Sequence, residues 1–265
     1  MSNWRLYQSI LHFGYPEQDW LLIPLVNQAA RKYLKSTLIT CDISGQKNKM
    51  IYNPELNLSS LINEIIKIFS KNNCKDLEEK LIKIANENHV IVPQEEIARK
   101  DFIPNLEYSL DKIKGEIVTF ADYTARLSGQ VQWHQASRGV PEFFEGGYSF
   151  SVIIGDSGLV PSKKIRMGLF LQNQNVDYPS HAHDAEEFYL ILSGHGSWQI
   201  GNSWYDAIPG RIFHHQPGES HRMITESEPL LAIWIWTGLI EGRYWFVGHE
   251  EIDCSINIET RSQSN

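Results

Sequence analysis

Apolar residues recur every three or four positions through the first part of the chain, and this period predicts helices. In WLLIPLVNQAARKYLKS (20–36), Leu21, Leu22, Leu25, Val26, Ala29 and Tyr33 fall on one stripe. LSSLINEIIKIFSKN (58–72) aligns Leu58, Leu61, Ile62, Ile65, Ile68 and Phe69 in the same way. DLEEKLIKIANENH (76–89) gives a third stripe of Leu77, Leu81, Ile82 and Ile84. Pro93 opens PQEEIARKDF (93–102) and suits the first turn of a short fourth helix, where no backbone N–H is needed. Stripes of this kind face a core, and no chemistry is legible in residues 1–115.

From about Tyr123 the period shortens. Aromatic and β-branched residues come in short runs: YSFSVIIG (148–155), IRMGLFLQ (165–172), EFYLILSG (187–194), SWQIG (197–201) and LLAIWIW (230–236). Brief turns rich in Gly, Asn and Asp separate them, which reads as strands and hairpins. No helical pattern alternates with these runs, so an antiparallel barrel or sandwich is expected rather than a parallel sheet. The expected division is a helical N-terminal region over 1–115 and a β-barrel over 116–265. Phe188, Leu190 and Leu192 form an apolar face that a second sheet, the helices or another subunit must cover.

Composition adds limits. The chain has 265 residues, 42% hydrophobic and 21% charged, which suits a folded domain and excludes a disordered or disulfide-stapled one. A net charge of −8 argues against a nucleic-acid surface. Cys41, Cys74 and Cys254 are scattered and odd in number, which suits a reducing compartment. No signal-like N-terminus and no membrane-length apolar run is present, so a cytoplasmic protein away from membranes is expected.

Six of the ten histidines lie between His181 and His221. In an extended chain residues i and i+2 share a face, so His181 and His183 aim at one point, as do Glu187 and Tyr189. A straight strand would carry Glu187 about 13 Å past His183, so a bend at Asp184–Ala185 is expected. PGRIFHHQPGESHRM returns His221 after Pro217–Gly218, opposite the first pair if it forms a hairpin. Three imidazoles and a carboxylate suit one divalent transition metal, and Fe, Zn, Mn, Ni and Co all remain open. His195 is expected in an exposed turn; His214 and His215 face opposite sides of a strand and are expected as satisfied polar residues, with approach of one to the metal site as the alternative. Lys163, Lys164 and Arg166 are expected on a solvated face, and Arg222 turned away from the metal.

These segments resemble the two signature motifs of the cupin superfamily. HxHx3Ex6G is matched by His181, His183, Glu187 and Gly194, and the second motif more loosely by Gly210, Pro217 and His221. Asn175 stands where a glycine is usual, and the asparagine that often ends the second motif is missing. The resemblance implies a cupin barrel (double-stranded β-helix or jelly roll) with a central metal. Within that superfamily the chain is similar to the dimethylsulfoniopropionate lyases of the DddL, DddQ, DddK and DddW type. The carrying positions are Tyr189 two residues after Glu187, His221 thirty-four after it, Tyr178 before the first histidine, and Trp236 fifteen after His221. The resemblance implies cleavage of dimethylsulfoniopropionate to acrylate and dimethyl sulfide by base-initiated β-elimination. Tyr189 is the expected base and Tyr178 the second candidate; Trp234, Trp236 and Tyr244 are expected to offer aromatic faces to the sulfonium. The expected partner is this small molecule, with a homodimer as an option. Two alternatives carry the same ligands: another metal-dependent cupin enzyme (a dioxygenase or isomerase), and a non-catalytic ligand-binding cupin.

Overall fold

The apolar stripes expected over 58–72 and 76–89 form helices in the computed structural model: α1 (Pro54–Lys71) and α2 (Lys75–Ala85). The structure describes residues 54–72, 74–86, 103–117, 123–124, 127–128, 131–135 and 147–249. The helices expected over 20–36 and from Pro93 lie outside these residues, as do Cys41 and Cys254. Leu58, Leu61, Ile62, Ile65 and Phe69 of α1 are buried, and so are Leu77, Leu81 and Ile84 of α2. Ile82, assigned to the same stripe from sequence, is 40% exposed, because it is one residue off the buried i, i+4, i+7 row. Asp76 and Glu78 in the first turn of α2 and Lys83 in its last complement the helix dipole. A further helix, α3 (Ile103–Asp111), buries Leu106 and Leu110. Among the described residues no helix is long and apolar enough to cross a membrane.

Among the described residues eleven strands follow: β1 (Trp133–Gln135), β2 (Tyr148–Ser151), β3 (Arg166–Gln172), β4 (Asp177–His183), β5 (Ala185–Ser193), β6 (Gly196–Ile200), β7 (Ser203–Ala207), β8 (Ile212–His215), β9 (His221–Thr225), β10 (Leu230–Gly238) and β11 (Tyr244–Phe246). They form a large sheet, β1-β2-β3-β10-β5-β8, and a smaller one, β11-β4-β9-β6-β7, with antiparallel pairing throughout. The two sheets face each other around an aromatic interior. Phe170 of the large sheet lies 6.0 Å from Tyr178 of the small one, and Tyr189 lies 4.8 Å from Trp198. This is the barrel expected from the strand pattern.

The large sheet is buried on both faces, which is why β5 and β10 read as unbroken apolar runs. Phe188, Leu190 and Leu192 of β5, with Leu231, Ile233 and Ile235 of β10, share one core with the helices. Phe69 of α1 meets Phe188 edge-on at 5.8 Å. The covering layer left open by the sequence is therefore helical. Each such side chain removed from water stabilises the fold by about 1.5–3 kcal/mol. The alternate residues, Tyr189, Ile191, Trp234 and Trp236, face the interior.

Two backbone positions hold this geometry. Gly194 has φ +87°, and a Cβ there would lie 2.2 Å from the Pro229 carbonyl oxygen, so no other residue fits without movement. Asn175 has φ 57°, the left-handed region that asparagine enters more readily than most residues. The departure from glycine at that motif position thus preserves the turn.

Candidate metal centre and active site

The chain changes sheets between His183, which ends β4, and Ala185, which begins β5. Asp184 makes the corner. Its N–H donates to the Arg243 carbonyl at 3.0 Å, and its carboxylate accepts the Arg243 N–H at 2.8 Å. This is the bend the spacing demanded, and it turns Glu187 back toward His183. The second segment also changes sheets: β8 belongs to the large sheet and β9 to the small one. A corner therefore replaces the expected hairpin, with Gly218 N–H donating to the His183 carbonyl at 2.8 Å. His221 still arrives opposite His181, its registered partner in the β4–β9 pairing.

His183, Glu187 and His221 converge, with their ligating atoms all within 4.8 Å of one another and all three residues buried. His183 Nε2 lies 3.0 Å and His221 Nε2 3.1 Å from Glu187 Oε2. The other ring nitrogens are held by backbone carbonyls. Nδ1 of His183 faces the Ala185 carbonyl at 2.9 Å, and Nδ1 of His221 faces the Glu219 carbonyl at 3.0 Å. A carbonyl only accepts, so each Nδ1 carries a proton, and Nε2 is the nitrogen each ring can offer as a lone pair toward the carboxylate. His221 Nε2 makes no hydrogen bond despite its burial. Two lone pairs against a carboxylate oxygen repel unless a cation lies among them. The three atoms can hold a metal ion, and this donor set suits a first-row divalent metal.

His181 stands beside this group rather than within it. Its ring lies 4.1 Å from that of His221 and stacks on Tyr178 at 4.3 Å. Its Nδ1 donates to the Pro179 carbonyl at 2.8 Å, which leaves its Nε2 bare as well. Burial, then the neighbouring His221, push its pKa well below the ordinary histidine value.

The aromatic candidates surround the triad. The Trp236 indole N–H donates to Glu187 Oε1 at 2.6 Å, and its ring lies 4.5 Å from His183. Trp234 sits edge-on to Trp236 at 5.7 Å, with its N–H donated to the Ser151 carbonyl. The hydroxyls of Tyr178 and Tyr244 are 2.7 Å apart. Tyr189 shares the inward face with Glu187. Burial, then the Glu187 charge, raise its phenol well above the ordinary value, and burial with Tyr244 does the same for Tyr178.

The remaining polar residues divide. His195 is exposed, and Arg222 pairs with Asp177 outside the barrel. His214 is exposed, and its Nε2 donates to Glu186 Oε1 at 2.8 Å. Lys163 and Lys164 are exposed, but Arg166 is only 6% exposed and pairs with Glu241 at 2.7 Å. The solvated face expected for all three cations thus fails at Arg166, which begins β3 and lies 5.9 Å over the Trp236 ring. Of the pair expected as satisfied polar residues on opposite faces, His215 points inward and its Nδ1 has no hydrogen-bond partner among the described residues, while Trp198, also interior, was not singled out from sequence. The adjacent pair His214–His215 was the available signal, since one member of such a pair in a strand must point inward.

An antiparallel barrel that carries an inward histidine–carboxylate triad on both sheets is a cupin. A family model described as dimethylsulfoniopropionate lyase matches residues 75–232. The chain belongs to that dimethylsulfoniopropionate lyase family. It is 28% identical over 127 residues to a protein named as dimethylsulfoniopropionate lyase DddL of Cereibacter sphaeroides, covering 47% of this chain and 53% of that one. It is 29% identical over 114 residues to dimethylsulfoniopropionate lyase DddQ of Ruegeria pomeroyi, covering 42% and 56%. The chain therefore spans about half the length of the curated relatives it matches. The crystal structure of the Ruegeria pomeroyi lyase DddQ superposes with a TM-score of 0.53 at 20% identity, covering 72% of this chain and 98% of that one. That likeness shows the fold.

Proposed function

We propose that this barrel cleaves dimethylsulfoniopropionate to acrylate and dimethyl sulfide by β-elimination. The observation that carries the reading is the buried His183–Glu187–His221 triad, with its bare Nε2 atoms, inside a chain of the lyase family. One divalent transition metal would be held by these three residues, with His181 adjacent as a fourth ligand. When bound, it polarises the substrate carboxylate as a Lewis acid and acidifies the α C–H.

The residues of the chain do the rest. Tyr189, as its phenolate, accepts the α-proton and becomes the neutral phenol. The Cα electron pair forms the C=C bond of acrylate as the C–S bond breaks, and the sulfur leaves with that bonding pair as neutral dimethyl sulfide. No general acid is needed for such a leaving group. Glu187 raises the Tyr189 phenol when its charge is uncompensated. With a metal ion held by the triad, the Glu187 charge would be compensated and the Tyr189 phenolate favoured, its own proton released to solvent. Tyr178 and Tyr244, held by their shared hydroxyl contact, orient the other end of the substrate and keep Tyr178 as the second candidate base. The faces of Trp234, Trp236 and Tyr244 suit the sulfonium, each such contact stabilising by roughly 0.5–2 kcal/mol. Helices α1, α2 and α3 cover the large sheet rather than take part in the chemistry, and the site lies within residues 116–265.

The test is headspace detection of dimethyl sulfide from purified, metal-loaded protein given dimethylsulfoniopropionate. Expected is metal-dependent release that vanishes in His183→Ala and Glu187→Ala. Protein that holds about one metal per chain yet releases none would sink the reading.

A further inference from the structure

His215 ends β8, faces Glu187 in the β5–β8 pairing and is fully buried. Its ring lies 3.9 Å from that of His221 and 11° from parallel to it. The Trp198 indole N–H donates to His215 Nε2 at 3.1 Å. An indole nitrogen only donates, so Nε2 is the bare nitrogen and the neutral ring carries its proton on Nδ1. His181, His183 and His221 carry the same tautomer, but their Nδ1 protons go to backbone carbonyls, whereas in His215 it is Nε2 that has a partner in the protein. His215 Nδ1 is buried with no hydrogen-bond partner among the described residues. Glu187, its registered partner across β5–β8, has Trp236 on Oε1 and the two histidine nitrogens beside Oε2. A donor fixed in place at the centre of a barrel, with nothing of the protein to receive its proton, calls for a ligand acceptor.

We infer that His215 Nδ1–H is a preset hydrogen-bond donor to the carboxylate of the bound substrate, acting beside the metal triad rather than in it. The inference rests on the reading of the barrel as a site for a carboxylate-bearing sulfonium. A neutral donor suits such a zwitterion, because an arginine or lysine in the same place would repel the sulfonium a few bonds away. Trp198 is then a positioning residue: its indole N–H fixes the tautomer that leaves the donor free, and its burial against Phe213 at 4.4 Å fixes the ring that does so.

The test compares three substitutions in metal-loaded protein. His215→Phe keeps the ring stack and removes both nitrogens; His215→Asn places an amide nitrogen near the Nδ1 position; His215→Gln reaches instead toward the Nε2 position. The readouts are metal content, the Kd of propionate (a carboxylate with no leaving group) by calorimetry, and KM against kcat. Expected is wild-type metal content in all three. Propionate Kd and KM should rise at least about ten-fold in His215→Phe, the loss of one hydrogen bond to a charged partner. His215→Asn should recover to within roughly three-fold of wild type, with His215→Gln behaving like Phe. Unchanged propionate binding in His215→Phe overturns the inference alone. Rescue by Gln but not Asn also overturns it, since the residue would then act only as the acceptor for Trp198. Metal loss in all three overturns it by making His215 part of the metal centre. Wild-type protein that binds no propionate and releases no dimethyl sulfide overturns the functional reading as well.

Discussion

Each imidazole of the site has its proton placed by a neighbour that can play only one role. Backbone carbonyls take the Nδ1 protons of His181, His183 and His221, and the Trp198 indole takes the Nε2 lone pair of His215. The result is a cluster of bare nitrogens next to one donor, a division of labour that a list of histidines does not reveal. The role of Tyr189 is testable on the same scale. Tyr189→Phe removes only the hydroxyl, and loss of a general base typically lowers the rate about 100–10,000-fold. Elemental analysis should show metal content unchanged, because the triad remains. A rate near wild type with the metal intact would transfer the base to Tyr178. Trp236 carries a different expectation. Its N–H fixes Glu187 Oε1, leaving Oε2 for the histidines. Trp236→Phe should therefore weaken metal affinity about 10–100-fold, as loss of such outer partners does, measured by competition with a chromogenic chelator. Equal affinity in the variant would confine Trp236 to packing.

Elements place these residues through corners and two-faced strands. β5 turns Phe188, Leu190 and Leu192 to the helices while Glu187 and Tyr189 face inward, so one strand serves both core and site. Leu190→Ala should cost about 2–5 kcal/mol in a denaturant titration, the range for a fully buried aliphatic side chain. A loss under 1 kcal/mol would show that the helices close over the gap. Much of this was legible in the sequence. Period-two alternation put Glu187 and Tyr189 on one face and Trp234 and Trp236 on another, and the metal-ligand distance forced the bend at Asp184. What was not legible arises from pairings between sheets. The corner between β8 and β9 replaces a hairpin because Gly218 is held by the His183 carbonyl, a partner thirty-five positions away. The burial of Arg166 depends on Glu241, and the tautomer of His215 on Trp198. Local pattern carries no information on any of these contacts.

At the scale of the molecule, the triad bridges the two sheets. His183 and His221 belong to the small sheet and Glu187 to the large one. Bare nitrogens and a carboxylate facing each other across that boundary oppose its closure when no cation is present, so a bound metal should stabilise the fold as well as the chemistry. A ligand present at one hundred times its Kd adds about 2.7 kcal/mol if it binds only the folded state. For a domain of this size each kcal/mol is worth about 2–4 °C in Tm. Chelation should therefore lower Tm by roughly 5–10 °C, and restoring the metal should reverse it. His183→Ala should start from a lower Tm and show little further response to chelator, because the bridge is already broken. The aromatic interior and the helix-covered outer face are untouched by this loss, so the metal-free protein should remain folded by circular dichroism. A Tm identical with and without chelator, in protein shown by elemental analysis to have lost its metal, would place the ion outside the junction of the sheets.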